Sequence, residues 1–102
     1  MIKFIFLKLN AIVYFKSEDK VVTAHLLDDY FFVSYTLDGL QNRVDPEQFI
    51  RIHRSSIVNL NYIHTIEPLL GGTYLMKMND KKQTELNVSR NAAKTIRARL
   101  GW

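Results

Sequence analysis

The chain has no cysteine. That absence excludes a disulfide scaffold, a thiolate zinc site, an iron–sulfur cluster and a cysteine nucleophile, and is compatible with a reducing compartment. With only two prolines and four glycines, no linker, low-complexity tract or internal repeat divides it. Long apolar runs are missing as well. The longest near the start, Phe4 to Leu7, is bracketed by Lys3 and Lys8 and is too short for a signal-peptide core or a membrane span. Phosphate-binding glycine loops and a G-x-S-x-G elbow are absent. The three histidines, His25, His53 and His64, have neither i,i+4 nor H-x-H spacing, and no carboxylate cluster accompanies them, so neither a metal site nor a cofactor is expected. An enzyme is not expected either, because a small β-rich chain leaves little room for an enclosed substrate pocket.

What is present is an ordinary globular composition. At 102 residues with 47% hydrophobic content, there is enough apolar mass for one core and too much for disorder, which predicts a single domain over residues 1–102. Its beginning almost inside a strand-like segment suggests a domain excised from a longer chain. The net charge of +4 is unevenly spread. Residues 1–51 carry six basic and seven acidic side chains, whereas residues 52–102 carry eight basic and three acidic. A basic second half suits a polyanion, and nucleic acid ranks above an anionic membrane because no apolar amphipathic anchor accompanies the charge. A merely solvated basic face is the plain alternative.

The apolar pattern is mostly that of short strands. Ile2 to Leu9 and Ala11 to Phe15 are expected deep in a sheet. Lys20 to Leu27 and Tyr30 to Thr36 flank Asp28-Asp29, which suits a two-residue hairpin turn because Asp tolerates positive φ. Tyr30, Phe31, Phe32 and Tyr35 are assigned to core packing. Leu37, Leu40 and Val44 fall on one face of a helix of about two turns, closed by Asp45-Pro46. The polar group His53 to Ser56 interrupts strands at Phe49 to Ile52 and Ile57 to Asn61. Tyr62 to Glu67 and Thr73 to Met78 are joined through Gly71-Gly72, read as a tight reversal and nothing more, and Thr84 to Val88 follows. Ser89 is predicted to cap a terminal helix with an Ala92, Ile96, Leu100 stripe, stopped by Gly101. Arg90, in its first turn, gains nothing from the helix dipole, which hints at another use.

Two polar clusters stand out. In His53-Arg54-Ser55, arginine offers a fork for guanine O6 and N7, histidine a donor to a base edge and serine a donor to phosphate. A polar turn between strands explains the same residues. Ser89-Arg90-Asn91 lies at a helix N-terminus, whose free N–H groups favour phosphate; a plain N-cap is the alternative.

The stretch from Phe49 to Ile63, with the pattern F-x-R-x-H-R-S-x-x-V-N-x-x-x-I, and the later Val88-Ser89-Arg90 strongly resemble the LytTR-type DNA-binding domain of bacterial response regulators. Ile12 to Phe15 and Leu37 to Phe49 extend the likeness over nearly the whole chain. The resemblance implies a mainly β fold of small antiparallel sheets with a short helix and a C-terminal helix, placing loops in successive major grooves of double-stranded DNA. It implies base reading by Arg54, by Arg90 and by a residue of the loop Lys16 to Lys20, where Lys20 is the best match. By position, Ser55, Ser89 and Asn91 would touch phosphate, and Lys94 and Arg97 would add long-range attraction. His53 would either face DNA or pack beside its neighbouring strand and orient Arg54. Val58, Leu60 and Ile63 are assigned to core. The resemblance also implies a cytoplasmic transcriptional output domain without membrane contact, controlled by a receiver or sensor domain in the parent chain. Direct repeats bound by two protomers, and a monomer off DNA, would follow. The alternatives are a protein-interaction or anionic-ligand module that has lost DNA binding, suggested by Glu18-Asp19, and a single-strand or RNA binder.

Overall fold

A computed structural model of the chain describes residues 9–101. The strands are β1 (Tyr14–Glu18), β2 (Val21–His25), β3 (Tyr30–Val33), β4 (Phe49–His53), β5 (Ser56–Asn59), β6 (Ile63–Pro68), β7 (Tyr74–Met78) and β8 (Glu85–Val88). A short helix, α1 (Leu37–Gln41), precedes β4, and a longer one, α2 (Arg90–Leu100), closes the chain. The strands form a five-stranded sheet in the order β3-β2-β1-β5-β4 and a three-stranded sheet in the order β6-β7-β8. Every pairing is antiparallel. The fold is therefore mainly β with small antiparallel sheets and two helices, as expected.

Alternation along the strands sends side chains to opposite faces and builds an apolar cluster on each side of the larger sheet. On one face Tyr14, Ile50, Ile52 and Val58 pack with Met76, Met78, Leu86 and Val88 of the smaller sheet and with Ala93 and Ile96 of α2. On the other, Phe15, Val22, Ala24, Phe49 and Ile57 pack beneath Leu37, Leu40 and Val44. Val58 is buried in the first cluster, against which Leu60 and Ile63 are partly buried, matching their assignment to core. Asn59, wholly buried, bridges separate segments by donating from Nδ2 to the Ile12 carbonyl at 2.8 Å and accepting the Asn61 N–H at 3.0 Å.

Several local expectations need correction. The proposed first strand, Ile2 to Leu9, lies outside the described residues except for Leu9, which opens a 3-10 turn, Leu9–Ala11. The next strand runs from Tyr14 to Glu18 rather than from Ala11 to Phe15. In α1 the helix spans Leu37–Gln41, shorter than two turns. Its apolar face nevertheless holds, because a Val44 N–H to Leu40 carbonyl bond of 2.9 Å carries the turn forward and buries Val44 beside Leu37 and Leu40.

In α2, Ala93 and Ile96 are buried whereas Leu100 is exposed. The stripe thus runs i,i+3 over the part of the helix that rests on β4, and the last turn is not covered. The aromatic group also divides. Phe31 and Tyr35 pack on the second cluster, but Tyr30 and Phe32 are 54% and 65% exposed, because alternation along β3 turns them to the sheet's other face. There the His25 ring stacks on Tyr14 at 4.3 Å and on Tyr30 at 5.6 Å.

The hairpin turns differ in mechanism from expectation. Between β2 and β3 the Leu26 N–H meets the Asp29 carbonyl at 2.8 Å, putting Leu27 and Asp28 at the tip, and neither has positive φ. The positive angles lie at Asp19 (52°) and Lys20 (67°), which join β1 to β2 as a two-residue turn of the type I′ kind. Lys16, Ser17 and Glu18 consequently belong to β1, not to a loop.

Candidate nucleic-acid interface

The polar interruption His53 to Ser56 folds as a tight hairpin. His53 pairs with Ser56, leaving Arg54 and Ser55 to make the reversal. The ladder shifts by one residue between Arg51 and His53, so Ile52 is the extra residue of a bulge and has no partner in β5. Its freed carbonyl accepts the backbone N–H of Ser89 at 2.9 Å. A bulge that re-aims one peptide group thereby joins the end of β4 to the start of α2.

That bond brings together the clusters His53-Arg54-Ser55 and Ser89-Arg90-Asn91. Lys20 lies at the same end of the sheet. β1 runs antiparallel to β5 with Lys16 opposite Ser56, the Ser17 N–H bonds to the Ser55 carbonyl at 2.9 Å, and the Asp19-Lys20 turn follows one residue beyond β1's end. Asn91, Lys94 and Arg97 are exposed along α2.

Arg54 is exposed, and its guanidinium meets no hydrogen-bond or ion-pair partner among the described residues. Its backbone, by contrast, is held. Arg51 donates from Nη2 to the Arg54 carbonyl at 2.6 Å and from Nε to the His53 carbonyl at 2.9 Å. Its Nη1 reaches Asp38 at 3.0 Å and Gln41 at 2.7 Å, both on α1. One arginine thus braces the turn against the short helix, a role that sequence reasoning missed. The available signal was an arginine between Ile50 and Ile52, since a cation flanked by core residues needs partners.

His53 is half-buried. Ser55 donates its backbone N–H to His53 Nδ1 at 3.2 Å, with its hydroxyl 2.9 Å from the same nitrogen. The backbone donor makes Nδ1 an acceptor, which leaves Nε2 as the ring nitrogen able to donate. Ser89 caps α2, its Oγ accepting the Ala92 N–H at 3.2 Å, and Gly101 ends the helix at φ 76°.

Arg90 is exposed but not loose. It donates from Nε to the Gly71 carbonyl at 2.8 Å, so Gly71-Gly72 does more than reverse the chain. A cleft of about 90 Å³ beside the β4–β5 turn is lined by Lys16, His53, Ser55, Glu85 and Asn87 among others, and is too small to enclose a nucleotide. Among the described residues no three His, Asp or Glu side chains gather as a metal ion would require. No helix among them is long and apolar enough to cross a membrane.

Comparison with known proteins identifies the family. The LytTr DNA-binding domain family matches residues 3–101. The chain is 36% identical over 89 residues to the sensory transduction protein LytT of Bacillus subtilis, covering 87% of this chain and 36% of that protein. It is 30% identical to the transcriptional regulatory protein YpdB of Escherichia coli K12 over the same shares. It is 33% identical to the heme-containing CO-sensing transcriptional regulator RcoM 1 of Paraburkholderia xenovorans, covering 95% of this chain and 36% of that protein. The chain thus spans little more than a third of the length of these relatives. A solved LytTr DNA-binding domain from Bacillus cereus superposes with a TM-score of 0.82 at 29% identity, covering 91% of this chain and 84% of that one. A family match over almost every residue, together with the shared fold, means that this chain belongs to the LytTR family of DNA-binding domains.

Proposed function

We propose that this chain is a sequence-specific reader of double-stranded DNA, the output domain of a transcriptional regulator, and that it enters the major groove with the β4–β5 turn and the start of α2. The observation that carries the reading is the Ser89 to Ile52 backbone bond, which sets two arginine-bearing clusters side by side on one end of the molecule. Arg54, Arg90 and Lys20 read bases; Ser55, Ser89 and Asn91 meet phosphate; Lys94 and Arg97 add attraction for the backbone. His53 offers Nε2 toward DNA from within the turn it helps to shape.

Residues 1–102 act as one domain of a longer cytoplasmic regulator, with a receiver or sensor domain elsewhere in the parent. The names of the LytT and RcoM 1 relatives, which denote sensing and signal transduction, support that arrangement. Two protomers occupy direct repeats, and the protein needs no cofactor.

Selection of bound duplexes from a random pool at two salt concentrations tests this reading, with single-stranded competitor added. The expected result is an enriched, spaced motif whose binding weakens with salt. Salt-sensitive binding without enrichment would reduce the surface to a basic patch, and preference for the single strand would overturn the duplex reading. Absence of DNA binding would favour an interaction module on the same scaffold.

A further inference from the structure

Arg90 rests on the β6–β7 loop in a way that reading DNA does not by itself require. Its Nε bonds to the Gly71 carbonyl at 2.8 Å, and its aliphatic stem lies over Gly72. A Cβ placed on Gly72 would stand 3.3 Å from Arg90 Cγ and 3.7 Å from Cδ and Nε. Gly71 and Gly72 have φ of 76° and 78°, which turns their backbone into a shelf that a side chain would disturb. Thr73 fixes the shelf by donating from Oγ1 to the Leu70 carbonyl at 3.0 Å, while the Leu69 N–H meets the Thr73 carbonyl at 2.9 Å.

We propose that the Leu69 to Thr73 loop is a positioning device for Arg90, with Gly72 and Thr73 as specificity-determining residues that never touch DNA. An arginine can present a base with Nε and one Nη, or end-on with both Nη groups. With Nε committed to Gly71, only the end-on fork remains, aimed along the direction that the loop sets. Holding the fork also reduces the side-chain freedom lost on binding. The inference rests on Arg90 being a base reader, and its test separates the two claims.

In the full chain, Arg90→Ala, Gly72→Ala, Thr73→Ala and the two double variants with Arg90→Ala are titrated against the selected duplex and its single-base substitutions. Thermal melting accompanies each. Arg90→Ala is expected to cost about 5- to 150-fold in discrimination at one base pair. Gly72→Ala and Thr73→Ala should each lose part of that discrimination at the same base pair only, and neither should add to the loss in the Arg90→Ala background. If Arg90→Ala leaves base preference intact, both claims fall. If it relaxes preference while the loop variants weaken all duplexes alike, or add fully to it, Arg90 reads but the loop does not position it. Should Gly72→Ala fail to fold because of its positive φ, Thr73→Ala decides alone, and an unchanged preference in that variant overturns the proposal.

Discussion

At the tip of the β4–β5 turn the backbone of Arg54 is gripped by Arg51, while its guanidinium meets no partner among the described residues. Arg54→Ala should therefore cost about 1–3 kcal/mol on the selected site and relax preference at one base pair, as titration with substituted duplexes will show. Lys94 is exposed on α2 and carries no such fork. Lys94→Ala should weaken all sequences alike and lower the salt slope by about 1, measured from affinity across a salt series. Arg51→Met tests the brace. It should relax preference at the base pair that Arg54 is proposed to read, without touching DNA, and cost on the order of 1–2 kcal/mol of stability by urea denaturation, a moderate figure because the Asp38 end is exposed to solvent. Motif spacing made the free arginine legible and not the braced one: a pattern records which residue types recur, whereas Arg51's partners on α1 come from a different stretch of chain. Asn59 was hidden for the same reason, since its bond to Ile12 joins residues far apart in sequence.

Among the elements, the β1–β2 hairpin holds the clearest tension. Asp19 and Lys20 both occupy positive φ, a region that costs a non-glycine residue about 1–2 kcal/mol. Lys20→Gly should raise stability by up to about 1 kcal/mol in denaturant titration, and the same variant, having lost a proposed base contact, should lose DNA affinity with relaxed preference at one base pair. A gain in both would remove Lys20 from the interface. Asp28-Asp29 looks like the place for positive φ in the sequence, because an Asp pair between apolar runs is a strong local cue. The chain instead needed tight reversal where β1 ends against Val21, and a lysine there carries no cue. Strand alternation and the caps Ser89 and Gly101 were readable because each depends on neighbouring residues alone, whereas the first helix stops at Gln41, ahead of the Asp45-Pro46 break that was expected to close it. The bulge at Ile52 was not readable, because it depends on which residue of β5 stands opposite.

For the whole molecule, the meeting of the two sheets carries a pH signature. Burial first, and then Lys82 and Lys16, lower the His25 pKa against the opposing pull of Asp80 and Glu18. A depressed value means that the unfolded chain binds the proton more readily. The contribution is therefore complete above the unfolded value of about 6.5 and is lost as pH falls through the range below it. His25→Gln should flatten that acid limb in melting curves, and an unchanged slope would assign the limb to other groups. The end of the molecule proposed to face DNA has a different consequence. Because one backbone bond ties Ile52 to Ser89, the backbone segments that carry Arg54 and Arg90 cannot slide independently, and with both as the proposed readers the domain would act as a ruler with two marks at a set spacing. A base pair inserted between the positions they read displaces the second by about 3.4 Å and turns it by roughly 35°. Affinity for such a site should fall to that of a duplex in which one of the two base pairs is wrong.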